Sequence, residues 1–218
     1  MKKVVPIVFA LFLITNLYSQ DKESKKPEEK EKKKLIDAYS EITIEDFETT
    51  PYTDKNLEYR VSKEQKAGLS LRDQFPAPIQ NSKKYIGLKV YGRKGDYLNI
   101  IPAKPLIIEK HCKTISIWVY GKRFAGELSM LLKDASGTSH RIIFGTLDFL
   151  GWKKLTARLT DEIAQEDKYL SQKRQIEILK IIYSPGNIGR LPLWHYFYLD
   201  DITAVVREKY TDRQSDDW

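Results

Sequence analysis

The chain of 218 residues carries 37 Lys and Arg against 30 Asp and Glu, a formal net charge of +7, and a single cysteine. One cysteine excludes an internal disulfide, and basic residues that alternate with acidic ones argue against nucleic-acid binding. Stability must therefore come from core packing, for which the length suffices in one domain.

Residues 1–20 have the layout of a secretory signal peptide. Two lysines precede an apolar run over residues 4–14, and a polar stretch follows it. The apolar run is too short to span a bilayer comfortably, so we expect cleavage after Ser19 or Gln20 and no stable membrane anchor afterwards. Retention as an anchor is the alternative. Loss of the two lysines would leave 35 basic and 30 acidic residues, and the mature protein is expected outside the cytoplasm.

Residues 21–38 are predicted to be a charged, disordered tail. Within residues 21–34 the sequence holds seven lysines, five acids and one proline. Such a composition buries too little apolar surface to fold. The remainder is predicted to be one domain over residues 39–209, followed by a polar C-terminal tail over residues 210–218.

Short strand signals, separated by Gly, Pro, Asp and Ser, follow one another along this domain. The pattern is typical of an antiparallel sandwich and unlike an alternation of strands and helices. The predicted strands are 42–47, 59–62, 68–72, 85–91, 97–101, 115–120, 128–132, 141–147, 151–159, 176–183 and 194–205. The sequence therefore predicts an all-β, antiparallel jelly-roll β-sandwich.

Two of these strands indicate where the core lies. In the strand 115–120, Ile115, Ile117 and Val119 alternate with polar or aromatic residues, so one face is expected to enter the core. Residues 176–183 are almost continuously apolar. A strand of that kind is expected at the centre of a sheet.

Residues 160–174 do not continue the pattern of short strands. Thr160 can serve as an N-cap, two acids follow it, and Ile163 and Leu170 are seven residues apart. The segment is predicted to form a short surface helix. A long polar loop is the alternative, and either form would suit a segment that makes specific contacts.

Two acidic pairs interrupt apolar strand sequences near the two ends of the domain. They are Glu45-Asp46 and Asp200-Asp201, and we expect the first and last strands to meet and bring them together. Four carboxylates with nearby backbone carbonyls could then hold a structural calcium ion. Alternatively, these carboxylates cap turns, accept backbone hydrogen bonds or pair with Lys and Arg.

The residues that flank the second pair predict a β-bulge. Side chains of a strand alternate between its two faces. Leu199 and Ile202 are three residues apart, so both can face the core only if the strand bulges at the aspartates.

Trp118 and Tyr120 are predicted to point away from the face that enters the core. Aromatic rings on an open sheet face can stack on sugars, or they can anchor a protein interface, where Tyr and Trp are enriched. The alternative is that loops cover this second face as well. Both residues are candidates for contact with a partner.

No catalytic constellation is recognisable in the sequence. His111, His140 and His195 are far apart, and no nucleophile elbow, phosphate-binding loop or dinucleotide fingerprint is present. A pair of glycosidase carboxylates would leave no signature in the spacing. Cys112 is expected to be buried and inert. The chain is therefore predicted not to be an enzyme and to need no cofactor beyond the calcium ion considered above.

Six stretches, taken in order, carry a resemblance to a known family. They are Ile-Glu-Asp-Phe-Glu-Thr at 44–49, Gly-Leu-Ser-Leu-Arg at 68–72, residues 84–92, residues 115–121, Gly-Trp-Lys-Lys-Leu at 151–155 and Leu-Asp-Asp-Ile at 199–202. Over residues 41–206 they resemble the spirochaete flagellar filament outer layer (sheath) proteins. Two of the stretches also recur in jelly-roll carbohydrate-binding modules of the galactose-binding-like kind, but the order of all six favours the sheath family.

The resemblance implies a periplasmic, non-enzymatic structural protein with a galactose-binding-like sandwich. Such a protein coats or flanks a flagellin core and adjusts the stiffness and curvature of the filament. Its expected partners are the flagellin core filament and other sheath proteins, through residues 160–174 and through Trp118 and Tyr120. The alternative function is a secreted carbohydrate-binding module whose sugar contacts Trp118.

Overall fold

The structure, a computed structural model of the chain, describes residues 39–60, 67–166, 175–186 and 191–209. The predicted signal peptide, the charged tail and the C-terminal tail lie outside these ranges. Within the ranges there are twelve β-strands, one 3₁₀ turn at Asp54–Asn56 and no α-helix. No helix in this part of the chain is long and apolar enough to cross a membrane.

The strands form two antiparallel sheets, each of six strands among the described residues. In chain order they are β1 (Ser40–Glu45), β2 (Leu57–Arg60), β3 (Ala67–Arg72), β4 (Tyr85–Gly92), β5 (Tyr97–Ile100), β6 (Leu106–Ile108), β7 (His111–Lys122), β8 (Gly126–Lys133), β9 (Ser139–Thr146), β10 (Leu150–Arg158), β11 (Ile176–Pro185) and β12 (Leu193–Arg207). Sheet A has the order β10-β7-β12-β4-β3, with β1 also beside β12. Sheet B has the order β2-β5-β11-β8-β9, with β6 also beside β11. The predicted antiparallel β-sandwich is confirmed.

The two sheets enclose one apolar core. In β7, Ile115, Ile117 and Val119 are fully buried, as their alternation predicts. Tyr183 of β11 and Phe197 of β12 are among the largest fully buried side chains, and their rings lie 4.4 Å apart. Aromatic and branched side chains from both sheets therefore fill the space between them.

β11 is the central strand of sheet B, as its apolar sequence predicts. It pairs with β5 and β6 on one side and with β8 on the other. The register against β8 shifts between Ile178 and Lys180. Because of this shift, Ile178 and Ile181 are both buried although they are three residues apart.

The sequence did not predict β6. This strand has only three residues, too few to show a recognisable alternation, although Leu106 and Ile108 are buried and Ile107 is 44% exposed. The other predicted strands are present with shifted ends. β7 differs most, since it begins at His111 and not at Ile115.

The helix predicted over residues 160–174 is wrong in the half that the structure describes. Residues 160–166 form a turn, in which the Ile163 N–H donates to the Thr160 carbonyl at 3.1 Å. Gln165 Oε1 accepts from the backbone N–H of Cys112 at 2.6 Å, and Gln165 Nε2 donates to the Cys112 carbonyl at 2.8 Å. These side-chain bonds tie the turn to β7, an interaction that the local sequence pattern does not show.

Asp134 follows β8 and organises the connection to β9. Its buried carboxylate accepts hydrogen bonds from the backbone N–H groups of Ser136 at 2.8 Å and Thr138 at 2.9 Å, and from the Ser136 hydroxyl at 2.6 Å. His140 Nε2 lies 2.8 Å from the carboxylate, and the Ala164 N–H donates to it at 3.2 Å. One carboxylate thus holds both the hairpin and the 160–166 turn.

Candidate functional site

The outer face of sheet A, turned away from the core, carries Trp118, Tyr120 and Asp200 of the predicted site residues. On β7, Trp118 and Tyr120 are half-buried on this face, whereas Ile117 and Val119 beside them are fully buried. On β12, Asp200 lies directly opposite Trp118. Two groups that were predicted from separate patterns are therefore neighbours.

Tyr120 belongs to a closed set of four rings, which we call the aromatic cluster: Tyr85 of β4, Tyr120 of β7, Trp152 of β10 and Tyr198 of β12. The ring centroids are 5.4 Å apart for Tyr85–Trp152 and 5.5 Å for Tyr120–Trp152. They are 5.7 Å apart for both tyrosine pairs that include Tyr198. All four contacts are edge-to-face, a geometry that contributes about 0.5–1.5 kcal/mol per pair beyond burial. The cluster is thus self-packed, which limits how far the Tyr120 ring can stack on a ligand.

The segment of residues 73–84 covers part of the aromatic cluster. The Tyr85 hydroxyl donates to the Gln74 carbonyl, and Trp152 Nε1–H donates to the Phe75 carbonyl at 3.2 Å. Loop cover of this face, one of the alternatives from the sequence, is therefore present in part. Phe75 itself is 86% exposed and has a φ of 62°, a conformation that is unusual for a bulky residue.

Phe75 is a candidate contact residue that the sequence reasoning missed. Its backbone carbonyl is fixed by Trp152, while its phenyl ring projects into solvent. The signal that could have found it is an aromatic residue inside a turn-rich stretch, Gln-Phe-Pro-Ala-Pro. Such stretches lie on the surface of the protein, where binding residues are concentrated.

Trp194 and Tyr196 of β12 extend the aromatic surface beyond the cluster. Their ring centroids lie 6.1 Å apart in a stacked arrangement. Lys89 Nζ lies 5.7 Å from the Trp194 ring, and Lys122 Nζ lies 5.8 Å from the Tyr196 ring. Cation–π attraction keeps positive charge over these rings. This end of the face is both aromatic and cationic, and the alternation with buried residues in β12 could have revealed it.

β12 changes its neighbour at the second acidic pair. Its residues 193–199 pair with β4 and its residues 202–206 pair with β1, while β7 lies along the other side. Among the described strands, none therefore pairs with Asp200 and Asp201 on the side shared by β4 and β1. The predicted meeting of the first and last strands is confirmed.

The predicted bulge is also confirmed at this junction. The register between β12 and β7 shifts between Asp200 and Ile202, and Asp201 has a φ of 28°. Leu199 and Ile202 are both fully buried. The bulge turns the strand so that apolar side chains on either side of it enter the core.

Asp200 and Asp201 differ in their surroundings. Asp200 is buried and accepts hydrogen bonds from the Ser82 hydroxyl at 2.8 Å and from the Asp201 N–H at 2.9 Å. Burial raises the pKa of Asp200 above its ordinary value, against the effect of these hydrogen bonds. Burial, together with the charges of Asp200, Asp46 and Glu48, raises the pKa of Asp201 to about 6. Electrostatic repulsion from the neighbouring carboxylates therefore disfavours the ionised form of Asp201.

Glu45 and Asp46 accept hydrogen bonds from their own segment, and Glu45 also forms an ion pair with one lysine. Glu45 Oε1 accepts from the Phe47 N–H at 3.0 Å and from the Thr50 hydroxyl at 3.2 Å. Glu45 Oε2 lies 3.3 Å from Lys104 Nζ. Asp46 Oδ1 accepts from the Glu48 N–H at 3.1 Å. The acids at this junction thus serve as turn caps and ion-pair partners, and the calcium ion stays a prediction.

No metal centre is evident in the described ranges, where no three His, Cys, Asp or Glu side chains form a group that could hold an ion. The histidines are dispersed over β7, β9 and β12, as expected. His195 is buried, with Nδ1 2.8 Å from the Tyr183 hydroxyl. Burial lowers the pKa of His195 and raises the pKa of the buried Cys112 thiol to about 12, which leaves that thiol inert.

Comparison with solved structures finds distant sandwich domains. A family 11 carbohydrate-binding module from Clostridium thermocellum, in complex with a β-1,3-1,4-mixed-linked tetrasaccharide, is 14% identical with a TM-score of 0.47, covering 78% of this chain and 98% of that one. A carbohydrate-binding module from the β-sandwich superfamily is 9% identical with a TM-score of 0.47, covering 73% of this chain and 60% of that one. Likenesses this distant say nothing about a ligand of this chain.

Comparison with protein sequences is more specific. A flagellar filament outer layer-like protein of Brachyspira hyodysenteriae is 26% identical over 197 residues, which cover 84% of this chain and 87% of that protein. The family model of the flagellar filament outer layer protein FlaA matches residues 57–214. That match runs through strands of both sheets and spans well over half of the sequence, so the chain belongs to the flagellar filament outer layer protein family.

Proposed function

We propose that this chain is a structural subunit of the sheath of a periplasmic flagellar filament, where it coats or flanks the flagellin core. The observation that carries the proposal is the family match over residues 57–214. Export through the signal peptide predicted at residues 1–20 belongs to the same proposal, as does the absence of catalysis. The proposed partners are the flagellin core and neighbouring sheath proteins.

A sheath subunit has to transmit bending force without deforming, and the described strands supply such a body. β12 is fifteen residues long and pairs with β4, β7 and β1. Each of these ladders would have to break before the strand could shift. The stiffness of the filament is therefore proposed to depend on contacts between subunits, while each sandwich moves as a rigid unit.

The proposed contact surface is the outer face of sheet A. Trp118 and Tyr120 stay candidate contact residues, but Phe75 at 86% and Tyr196 at 38% are the more exposed rings on this side. A patch on one face that docks on a different patch of the next molecule produces open, repeating assemblies. Attachment through one face would also make the two sides of the filament unequal, which favours curvature.

Gene deletion followed by complementation tests the proposal. We expect cells that lack the protein to keep filaments, but thinner or straighter ones, and to swim less well. The wild-type gene should restore both properties. A Phe75→Ser gene should yield folded, exported protein that no longer sediments with isolated filaments.

An Ile143→Ser gene is the matched control, because Ile143 is also an exposed apolar side chain, at 56%, but lies on sheet B. It should restore the filament fully. Unchanged filament shape and swimming in the deletion strain would contradict the sheath role. Specific sugar binding that is lost in Trp118→Ala would instead support the carbohydrate-binding alternative.

A further inference from the structure

A positively charged patch covers part of the outer face of sheet A. Its cations are Arg72 of β3, Lys89 of β4 and Lys122 of β7, all three exposed. Lys122 Nζ lies 5.3 Å from the centre of the Tyr198 ring and 5.8 Å from that of Tyr196. We call these five residues the cationic patch. It adjoins the aromatic cluster, of which Tyr198 is a member.

Two glycines let the side chains of the patch lie low on the sheet. A Cβ atom at Gly68 would lie 2.8 Å from Lys89 Cε, and one at Gly87 would lie 3.0 Å from Arg72 Nε. The two glycines, the two cations and the tyrosines of the patch line a hollow of about 210 Å³. An occupant of the hollow therefore meets positive charge and aromatic rings together.

The positive charges of the patch are not neutralised within the described ranges. None of Arg72, Lys89 and Lys122 forms an ion pair with a described residue. Asp54 also lines the hollow, and its Oδ1 accepts from the Leu69 backbone N–H at 2.7 Å. Three cations against this one carboxylate leave a net positive charge beside apolar rings. Such a surface favours a partner that carries several acids and an aromatic side chain.

The patch spans four neighbouring strands. Sheet A has the order β7-β12-β4-β3 here, so the tyrosines of β12 lie between Lys122 on one side and Lys89 and Arg72 on the other. The backbones of β7 and β3 are roughly 14 Å apart at the usual spacing between strands. Several carboxylates along one extended segment match this spread better than a single small anion does.

Residues 210–218 are a segment of this chain that meets these requirements. They contain Asp212, Asp216 and Asp217 against one arginine, a net charge of −2, and they include the aromatic residue Trp218. The other stretches outside the described ranges all have a net positive charge: 1–38, 61–66, 167–174 and 187–190. Charge complementarity therefore selects residues 210–218 among them.

The segment is too short to cover the patch of its own chain. Tyr196 is eleven positions before Arg207 in β12, roughly 36 Å along the strand. Beyond Lys209, a fully extended chain brings Asp212 only roughly 10 Å further and Asp217 roughly 28 Å further. A second copy must therefore supply the segment. A contact between two different surfaces of identical molecules repeats without closing.

We propose that the cationic patch of one subunit binds residues 210–218 of the next subunit. The inference rests on the proposed sheath role, since it names a partner for the outer face of sheet A. The cations of the patch pair with the aspartates, and Trp218 packs on the exposed ring of Tyr196. The same contact, repeated from copy to copy, links the subunits head to tail.

Fluorescence anisotropy with a labelled peptide of residues 209–218, capped at both ends, tests the recognition. We expect the peptide to bind the purified protein with a Kd below about 1 mM, and more weakly as the salt concentration is raised. Lys89→Gln with Lys122→Gln should weaken binding about tenfold, because two charge contacts are lost. A peptide with Trp218→Ala, which keeps every charge, should also bind more weakly.

Lys113→Gln with Lys153→Gln is the matched control for the charge. These exposed lysines also lie over aromatic rings, 5.0 Å from Tyr39 and 5.4 Å from Phe149. Their removal should leave the affinity unchanged. An oligothymidylate of similar length tests for a nucleic-acid site. The proposal is overturned if the peptide does not bind at millimolar concentration, if the control weakens binding equally, or if the oligothymidylate binds more tightly than the peptide.

Mixing two full-length variants tests the link between subunits. One variant carries Lys89→Gln and Lys122→Gln, and the other carries Asp212→Asn, Asp216→Asn and Asp217→Asn. Above the Kd of the peptide, sedimentation should show each variant alone as a monomer and the mixture as a one-to-one complex, whereas the wild type forms longer chains. A mixture that does not associate overturns the proposal. If the deletion strain still makes altered filaments, the sheath role stands without this link.

Discussion

Asp200 lies directly opposite Trp118 in the ladder between β12 and β7. Its carboxylate is held by the hydroxyl of Ser82, which belongs to the segment 73–84. The same segment covers the aromatic cluster and presents Phe75 to solvent. One loop therefore connects the acidic junction to the proposed contact surface, so the charge of the junction should influence how firmly that surface is held.

Asp201 should make the stability of the protein depend on pH. Its pKa is about 6 in the folded protein against an ordinary value of 3.8. The folded state then binds more protons than the unfolded state between these values, so stability falls as the pH rises through them. Asn tolerates the positive φ of Asp201 and carries no charge. We expect Asp201→Asn to be about 1 kcal/mol more stable at pH 7, after solvent screening is allowed for.

Urea unfolding at a series of pH values measures this effect. The gain in the free energy of unfolding from Asp201→Asn should vanish near pH 4, because the wild-type carboxyl group is then also neutral in the folded protein. Asp148→Asn is the control, because Asp148 is an exposed acid with no part in the junction. An Asp201→Asn variant that is less stable than the wild type at pH 7 would contradict the view that burial and the neighbouring carboxylates disfavour the charge of Asp201.

The calcium prediction is tested at the same junction. If Asp46, Asp200 and Asp201 bind the ion with Glu45, added calcium should raise the Tm at pH 7 and a chelator should reverse the rise. The rise should shrink at pH 5, because protonated Asp201 is a poor ligand. Asp200→Ala with Asp201→Ala should remove the response. A Tm that changes with neither calcium nor chelator would eliminate the ion. The role of these acids would then be to accept the hydrogen bond from Ser82 and to pair with Lys104.

The fold could be predicted from the sequence because most of its strands show a clear alternation of apolar residues. Even the bulge followed from the spacing of Leu199 and Ile202, since both had to be buried. The strand β6 and the turn at residues 160–166 could not be predicted in this way. Three residues are too few for a period, and the turn depends on Gln165 reaching Cys112, a contact between residues 53 positions apart.

The candidate site could be predicted only in part. Alternation identified Trp118 and Tyr120, but it could not show that Tyr120 packs edge-to-face against rings from two other strands. Phe75 was missed because its exposure depends on a backbone hydrogen bond from Trp152, which is 77 positions away.

Titration of His195, which is buried beside Tyr183, should affect stability in the opposite sense to titration of Asp201. Burial lowers the pKa of His195 below 6.5, so the unfolded state binds more protons and stability is lost as the pH falls below 6.5. Asp201→Asn should therefore lose stability on acidification more steeply than the wild type. His195→Gln should lose it less steeply, and urea unfolding between pH 7 and pH 5 measures both slopes.

Tyr183→Phe separates the hydrogen bond from the titration. It removes the hydroxyl that lies 2.8 Å from His195 Nδ1 and should cost about 1 kcal/mol. The dependence on pH should persist, because the imidazole is still buried. A Tyr183→Phe variant that lost the pH dependence would show that the hydroxyl, and not burial, sets the charge state of His195.

Asp134, in the connection between β8 and β9, should make the stability of the protein fall at low pH. Burial opposes its ionisation, yet hydrogen bonds from Ser136, His140, Thr138 and Ala164 hold its pKa well below the ordinary value. The resulting stability is present above pH 3.8 and is lost as the pH falls further. Asp134→Ala leaves several donors without an acceptor, so we expect it to cost about 3 kcal/mol.

Chemical denaturation combined with amide hydrogen exchange checks the Asp134 prediction. Exchange at Thr138 and Ala164 should accelerate together in Asp134→Ala, because one carboxylate accepts from both amides. Asp148→Ala, the removal of an exposed acid beyond β9, should change stability by less than about 0.5 kcal/mol. Acceleration at Thr138 alone would mean that the turn at residues 160–166 is held by Gln165 and Cys112 without help from Asp134.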